Sequence, residues 1–251
     1  MKRHFDCTAC GKCCHGWLPL SISDALAHAD IFPLFLFWMP VRPGGKSYDL
    51  TRELGIELKL KKRKRAAVRV FPVSYVPTHI SCPALQNDGL CTIHESKPQR
   101  CRTMPLSGAR AESDQLDLLI PKPDWDCDVS DTAPLIYDDK HITERQNFED
   151  ERQVLIADSK ILKPFANLMI DGAPKLRMDL EKVANRPKGG HLILNFSTLV
   201  PRLADVDIFK LAKKQASVML HFADQTAERT EFSDEHKRYV ACAQDWQKIL
   251  D

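Results

Sequence analysis

The sequence predicts an α+β protein in which a cysteine-rich N-terminal half of loops and short strands packs against a mainly helical C-terminal half. Three observations carry this. Eight of the nine cysteines lie before residue 128, in a stretch broken repeatedly by proline. Apolar residues recur at helical spacing only from about residue 140 onward. The 251 residues, 43% hydrophobic and 28% charged, make an ordinary globular chain long enough to bury a core. The expected division is 1–135 for the cysteine-rich region and 136–251 for the helical region, folded as one compact unit.

Along the chain, a short helix is expected from Ser21 or Ser23, with Asp24 in its first turn where a carboxylate suits the helix dipole. The apolar stretch from Ile31 to Val41 is interrupted by Pro33 and Pro40. At eleven residues it is too short to span a bilayer and reads as a core segment. Residues Ala66 to Val76 are β-branched and aromatic and predict a strand, which Pro72 places at a sheet edge or breaks. A second strand is expected from Gln115 to Ile120. Later, Ile161, Phe165, Leu168 and Met169 make an apolar stripe ended by Asp171-Gly172. A cleaner stripe runs through Ile208, Leu211, Ala212, Val218, Met219 and Phe222. Ser233 is the expected N-cap of a last helix carrying Tyr239, Val240, Ala243, Trp246 and Leu250. These apolar positions are expected in the core. Lys188-Gly189-Gly190 marks a turn between helices.

The formal charge of +2 excludes a global field that would recruit nucleic acid or an acidic membrane. The N-terminal Met-Lys-Arg-His-Phe-Asp runs directly into the cysteines with no apolar signal region, so a cytoplasmic protein without a membrane span is expected. In a reducing compartment, clustered cysteines point to metal ligation or redox chemistry rather than to disulfides.

The cysteines open with Cys7-Thr-Ala-Cys10-Gly-Lys-Cys13-Cys14. A C-x2-C-x2-C-C run lets one tight loop aim several thiolates at one point. Gly11 permits the positive-φ turn such a loop needs, and loop N–H groups can donate to the sulfurs. A second group follows: Cys82-Pro83, then Cys91, then Lys97-Pro98-Gln-Arg100-Cys101-Arg102. Asn87-Asp88-Gly89 is a turn signal, so Cys82 and Cys91 are expected to flank a hairpin-like reversal and come close together. Cys127 completes the set beside Trp125 and Asp126. Cys7, Cys10, Cys13, Cys14, Cys82, Cys91, Cys101 and Cys127 are therefore the candidate metal ligands, more thiolates than one tetrahedral ion needs.

Phe5-x-Cys7-x2-Cys10-Gly11-x-Cys13-Cys14, Cys82-Pro83-x-Leu85, Cys91-x-Ile93 and Lys97-Pro98-x2-Cys101-Arg102 together resemble the CxxCxxCC cysteine-cluster family, described as zinc- or iron-chelating. Its members are often labelled iron–sulfur-cluster-containing proteins. The resemblance covers roughly residues 5 to 127. His94 stands where many members have Tyr, and Lys97 where Arg usually precedes the Pro; both departures leave the ligands intact. Flagellin lysine N-methylases carry a similar cluster, so the resemblance also implies a SAM-dependent protein lysine N-methylase-like reading. Against it stand the absence of G-x-G-x-x-G after a strand and the short chain; a P-loop and H-E-x-x-H are absent too.

The donor chemistry leaves two metals open. Bacterial ferredoxins present three thiolates at C-x2-C-x2-C spacing, and a cysteine followed by proline belongs to that pattern. Cys7, Cys10 and Cys13 would be the local three, with Cys82 the remote fourth of a 4Fe–4S cluster. Zinc accepts C-x2-C pairs as well. Adjacent Cys13 and Cys14 cannot easily both ligate one small ion, so eight thiolates could serve two zincs, or one cluster plus a zinc. The leading expectation is an iron–sulfur protein with an accessory redox or protein-modification role, which admits a protein partner. The alternative is a zinc-stabilised structural or interaction module.

Arg100 and Arg102 flank Cys101 and are expected to donate to cluster sulfurs or to hold an anionic ligand of the centre; simple ion pairing is the plainer alternative. His15 and His94 could replace a thiolate in a mixed zinc site. The basic run of Lys59 and Lys61 to Arg65 reads as a solvated face rather than a nucleic-acid surface, since no aromatic interleaving accompanies it. Cys242, on a helical apolar face, reads as a buried hydrophobe.

Overall fold

The structure, a computed structural model, describes residues 2–251; the side chain of Lys62 lies outside the described set. It is a mixed α+β fold, 45% helical and 17% strand, with more helix in the C-terminal half. The elements follow in order: β1 (Arg3–His4), β2 (Leu18–Pro19), α1 (Ile22–Ala27), β3 (Leu34–Val41), α2 (Tyr48–Leu54), β4 (Ile56–Lys59), β5 (Arg65–Ser74) and α3 (Gln99–Thr103). Then come β6 (Leu135–Asp138), β7 (His141–Ile142), α4 (Gln146–Gly172), α5 (Pro174–Ala184), β8 (Leu192–Asn195), α6 (Ile208–Thr226) and α7 (Ser233–Gln247).

The five-stranded main sheet has the order β2-β5-β3-β8, with β4 also pairing β5. Its spine is the antiparallel β3–β5 ladder, running from Leu34 opposite Ser74 to Val41 opposite Ala67. A near-continuous apolar strand needs cover on both faces, and β3 receives it. Phe37 turns to one face, where it meets Phe71 and Tyr75. Trp38 turns to the other and packs against Phe165 of α4. On the Phe37 side, Phe35 meets Tyr239 of α7, which in turn meets Phe222 of α6. Fully burying each such aromatic contributes roughly 1.5–3 kcal/mol.

Short polar devices fix the ends of these elements. Ser21 caps α1, and Ser21 and Asp24 form a reciprocal capping box. Buried Gln215 on α6 accepts from the N–H of Leu34 and donates to the carbonyls of Ala29 and Phe32, fixing the turn that feeds β3. A smaller sheet, β1-β6-β7, carries a second core of Phe5, Leu106, Leu119, Ile136, Tyr137, Ile142 and Phe148.

Several expectations change. The strand over Pro72 is central rather than at an edge. Pro72 is tolerated because its backbone faces the gap where β2 has ended and β4 has not begun: β2 pairs only Val73 and Ser74, and β4 only Arg65 to Val68. The Pro72 carbonyl there accepts from Leu20. The strand expected from Gln115 to Ile120 is instead a 3-10 turn over Leu116–Leu119. Gln115 is fully buried and forces the turn, bonding back to Ser107 and Ala111. Ser233 is the first helical residue of α7 rather than its cap. Leu168 and Leu250 are exposed rather than core. The turn at Lys188-Gly189-Gly190 leads into β8, so the C-terminal half also supplies a strand to the main sheet beside β3. The basic run sits on the exposed turn between β4 and β5.

Candidate metal centre

The opening cysteine loop is closed by the N–H of Cys14 donating to the carbonyl of Gly11 at 2.9 Å. Gly11 adopts φ +70, and a Cβ there would come within 3.1 Å of Leu85 Cδ1 and 3.4 Å of the Gly89 carbonyl oxygen. Only glycine fits both the turn and the close approach, so the 7–14 loop is seated directly on the 85–89 turn. The N–H of Lys12 donates to Cys10 and holds its thiol below the ordinary range.

The second group is joined to the first through backbone. His15 pairs Ser81 in an antiparallel bridge, and the N–H of Cys82 donates to the Cys14 carbonyl at 2.8 Å. The N–H groups of Ala84 and Leu85 face the Cys82 sulfur. Residues 82–92 form the expected reversal: Gln86 bonds Leu90 at 2.8 Å, Thr92 bonds Ala84 at 2.8 Å, and Leu85 pairs Cys91. Cys127 arrives by a third route. Asp6 and Asp128 exchange both backbone hydrogen bonds, at 2.8 and 3.1 Å, and Thr8 Oγ1 donates to the Asp126 carbonyl at 2.9 Å.

Cys101 rides on α3, whose start is tied to α1 by the N–H of Gln99 donating to Asp24 at 3.1 Å. Arg100 Nη1 pairs Glu151 of α4 at 3.1 Å, with side chains 14% and 6% exposed. Glu151 also accepts from the N–H of Gly108 at 2.7 Å. Arg102 lies outside, donating from Nε to the Lys97 carbonyl at 3.0 Å. Glu151, Asp6 and Asp128 position the thiols, and no motif in the sequence marks them. Burial in the folded state is the only signal that singles out Glu151.

The thiols also influence one another electrostatically. Cys13 and Cys14 stand 4.0 Å apart, Sγ to Sγ. The Cys14 thiol hydrogen-bonds Cys13 and lowers it to about 6, while Cys14 itself is driven well up, first by Cys13, then by burial, Cys82 and Cys101. Cys101 is pushed up to about 12, mainly by burial and then by Cys82, Cys13 and Cys91, with Arg100 opposing. Cys82 is raised by burial, with Cys91 and Cys13 adding to it. Cys127 is raised by burial and by Cys10, Cys7 and Cys13. Each of the eight N-terminal cysteines thus lies within electrostatic reach of at least one other. Among the described residues, no three His, Cys, Asp or Glu side chains already stand in metal-ligating geometry. The donor set nonetheless suits a thiophilic metal, because gathered thiols that repel one another as thiolates are stabilised by a shared cation.

His15 lies against Ser81, its Nε2 3.4 Å from Ser81 Oγ, and His94 sits exposed on a short 3-10 turn. Cys242 is buried on α7, where burial raises its thiol.

The cysteine set, together with one family match, supports a metal-binding role. Residues 6–128 match the CxxCxxCC family model, described as "Putative zinc- or iron-chelating domain". No curated protein and no solved structure matches the chain. No helix among the described residues is long and apolar enough to cross a membrane.

Proposed function

We propose that the chain is an iron–sulfur protein, with a 4Fe–4S cluster as the group its thiols suit best, serving an accessory redox or protein-modification role with a protein partner in a reducing cytoplasm. The observation that carries this reading is the convergence of eight free thiols from separate segments, twice what one zinc ion takes. A cluster is held by four cysteine thiolates, and hydrogen bonds to the sulfurs tune it. N–H groups already directed at Cys10 and Cys82 supply that support. When bound, a cluster would supply one-electron chemistry. The chain's part is to gather and orient the thiolates, to half-bury all of them but Cys7 and Cys13, and to place the Arg100 charge beside Cys101.

A second reading, a zinc-stabilised interaction module, is favoured by one feature. The cysteine loops are joined to one another by single backbone bridges rather than by long ladders. A metal staple would supply the missing folding energy.

Anaerobic purification separates the two. Iron with acid-labile sulfide and a brown colour is the expected result, and a colourless protein with stoichiometric zinc overturns the iron–sulfur reading. Cys10→Ser is expected to lower metal content; full retention would remove the opening loop from either site.

A further inference from the structure

Sulfurs from two different parts of the fold meet at the adjacent pair Cys13 and Cys14. The first part is the small sheet. Asp6 and Asp128 exchange both hydrogen bonds in an antiparallel bridge, and Cys7 and Cys127 are the next residues on its two strands. The bridge therefore brings the Cys7 and Cys127 thiols within electrostatic reach of each other. Thr8 and Asp126 continue the alignment, and both also contact the Cys10 sulfur. Cys127 packs against the small-sheet core. The sulfurs that face it are Cys10, Cys7 and Cys13.

The second part belongs to the main core, against which Cys82 and Cys91 pack. Cys82 is held to Cys14 through backbone, Cys91 lies across the reversal that Cys82 opens, and Cys101 faces both Cys82 and Cys91 from α3. Cys13 is near both sets, but Cys14 is the residue bonded to Cys82. Two thiolates on neighbouring residues do not readily close on one small ion, while tetrahedral zinc sites and iron–sulfur clusters each take four cysteines.

We infer that the eight thiols form two separate four-thiolate centres, Cys7, Cys10, Cys13 and Cys127 holding one and Cys14, Cys82, Cys91 and Cys101 the other, with the Cys13–Cys14 pair as the seam between them. This grouping separates Cys82 from the C-x2-C-x2-C run that its ferredoxin-like spacing would pair it with. It rests on the metal-binding reading and not on the metal being iron.

The test is stepwise metal removal from the full-length, metal-loaded protein, with free thiols trapped by iodoacetamide and located by mass spectrometry at each step. Modification is expected in two blocks, Cys7, Cys10, Cys13 and Cys127 in one and Cys14, Cys82, Cys91 and Cys101 in the other. Cys127→Ser and Cys13→Ser are each expected to lose one centre, about half the metal sites, and to leave Cys82, Cys91 and Cys101 protected. Cys91→Ser and Cys14→Ser are expected to do the reverse. Simultaneous exposure of all eight thiols, or a protected block joining Cys82 with Cys7 and Cys10, overturns the partition. Should the variants fail to fold, the wild-type trapping pattern decides alone. Two zincs without iron or sulfide, released in the same two blocks, would defeat the iron–sulfur reading and leave the partition standing.

Discussion

At Glu151 a nearly buried carboxylate accepts from the Arg100 guanidinium and from the N–H of Gly108. The arrangement is tight, since a Cβ on Gly108 would stand 2.9 Å from Glu151 Cβ. Removing one partner of a buried ion pair strands the other charge. Glu151→Ala is therefore expected to cost about 3 kcal/mol in urea unfolding, and to lower metal content because α3 loses the contact that seats Cys101. A loss under about 1 kcal/mol would show the pair to be no stronger than an exposed surface bridge. The contrast with the cysteines is instructive. Their spacing marked them as candidate ligands without any fold, because close thiols in one loop have few other uses. A glutamate on a long amphipathic helix looks like one more solvated charge. Only the packing of α4 against α3 and the 106–108 loop makes Glu151 a positioning residue.

Among the elements, those whose sequence states a single period were legible: α6 and α7 fall where their apolar stripes predict, and α1 starts at its capping residue. Elements decided by a distant partner were not. Gln115 to Ile120 carries enough aliphatic residues for a strand, yet the buried Gln115 amide bonds to Ser107 and Ala111 and curls it. β8 is four residues long and owes its strand character to the free edge of β3. Pro72 suggested an edge because a central strand needs its N–H groups, and the fold answers by placing it in the Arg69 to Pro72 stretch between the β2 and β4 pairings. Another buried amide, Gln215, joins helix to sheet by three hydrogen bonds to the backbone around β3. Gln215→Leu would leave the Leu34 N–H and the two carbonyls unsatisfied, at about 1–3 kcal/mol each before local relaxation. The expected net loss is about 3 kcal/mol by denaturant titration, with metal content unchanged in the folded fraction. A coupled loss of metal would mean that the β3 turn and the cysteine loops unfold together.

On the scale of the whole molecule, apolar packing holds one region, and the proposed metal ligation would hold another. The main core runs through β3, β5 and the helices on both faces of the sheet, and it reaches the cysteine loops at Cys82, Ala84, Cys91 and Ile93. The loops themselves expose Cys7, Thr8, Ala9, Lys12 and Cys13, and later Gln86, Asn87 and Asp88. They bury little apolar surface to offset the entropy of ordering them. With metal bound as proposed, their order is expected to depend on it to a degree that the sheet's does not, and linkage makes that dependence measurable. Hydrogen exchange of the metal-loaded and chelated protein is expected to show lost protection across residues 6–16, 81–94 and 126–128. Amides of β3, β5 and α6 should keep theirs, because local opening follows local packing. If the helices lose protection in step with the loops, the metal holds the entire fold. If neither region changes, the loops stand without metal, and the thiols are gathered for chemistry rather than for stability.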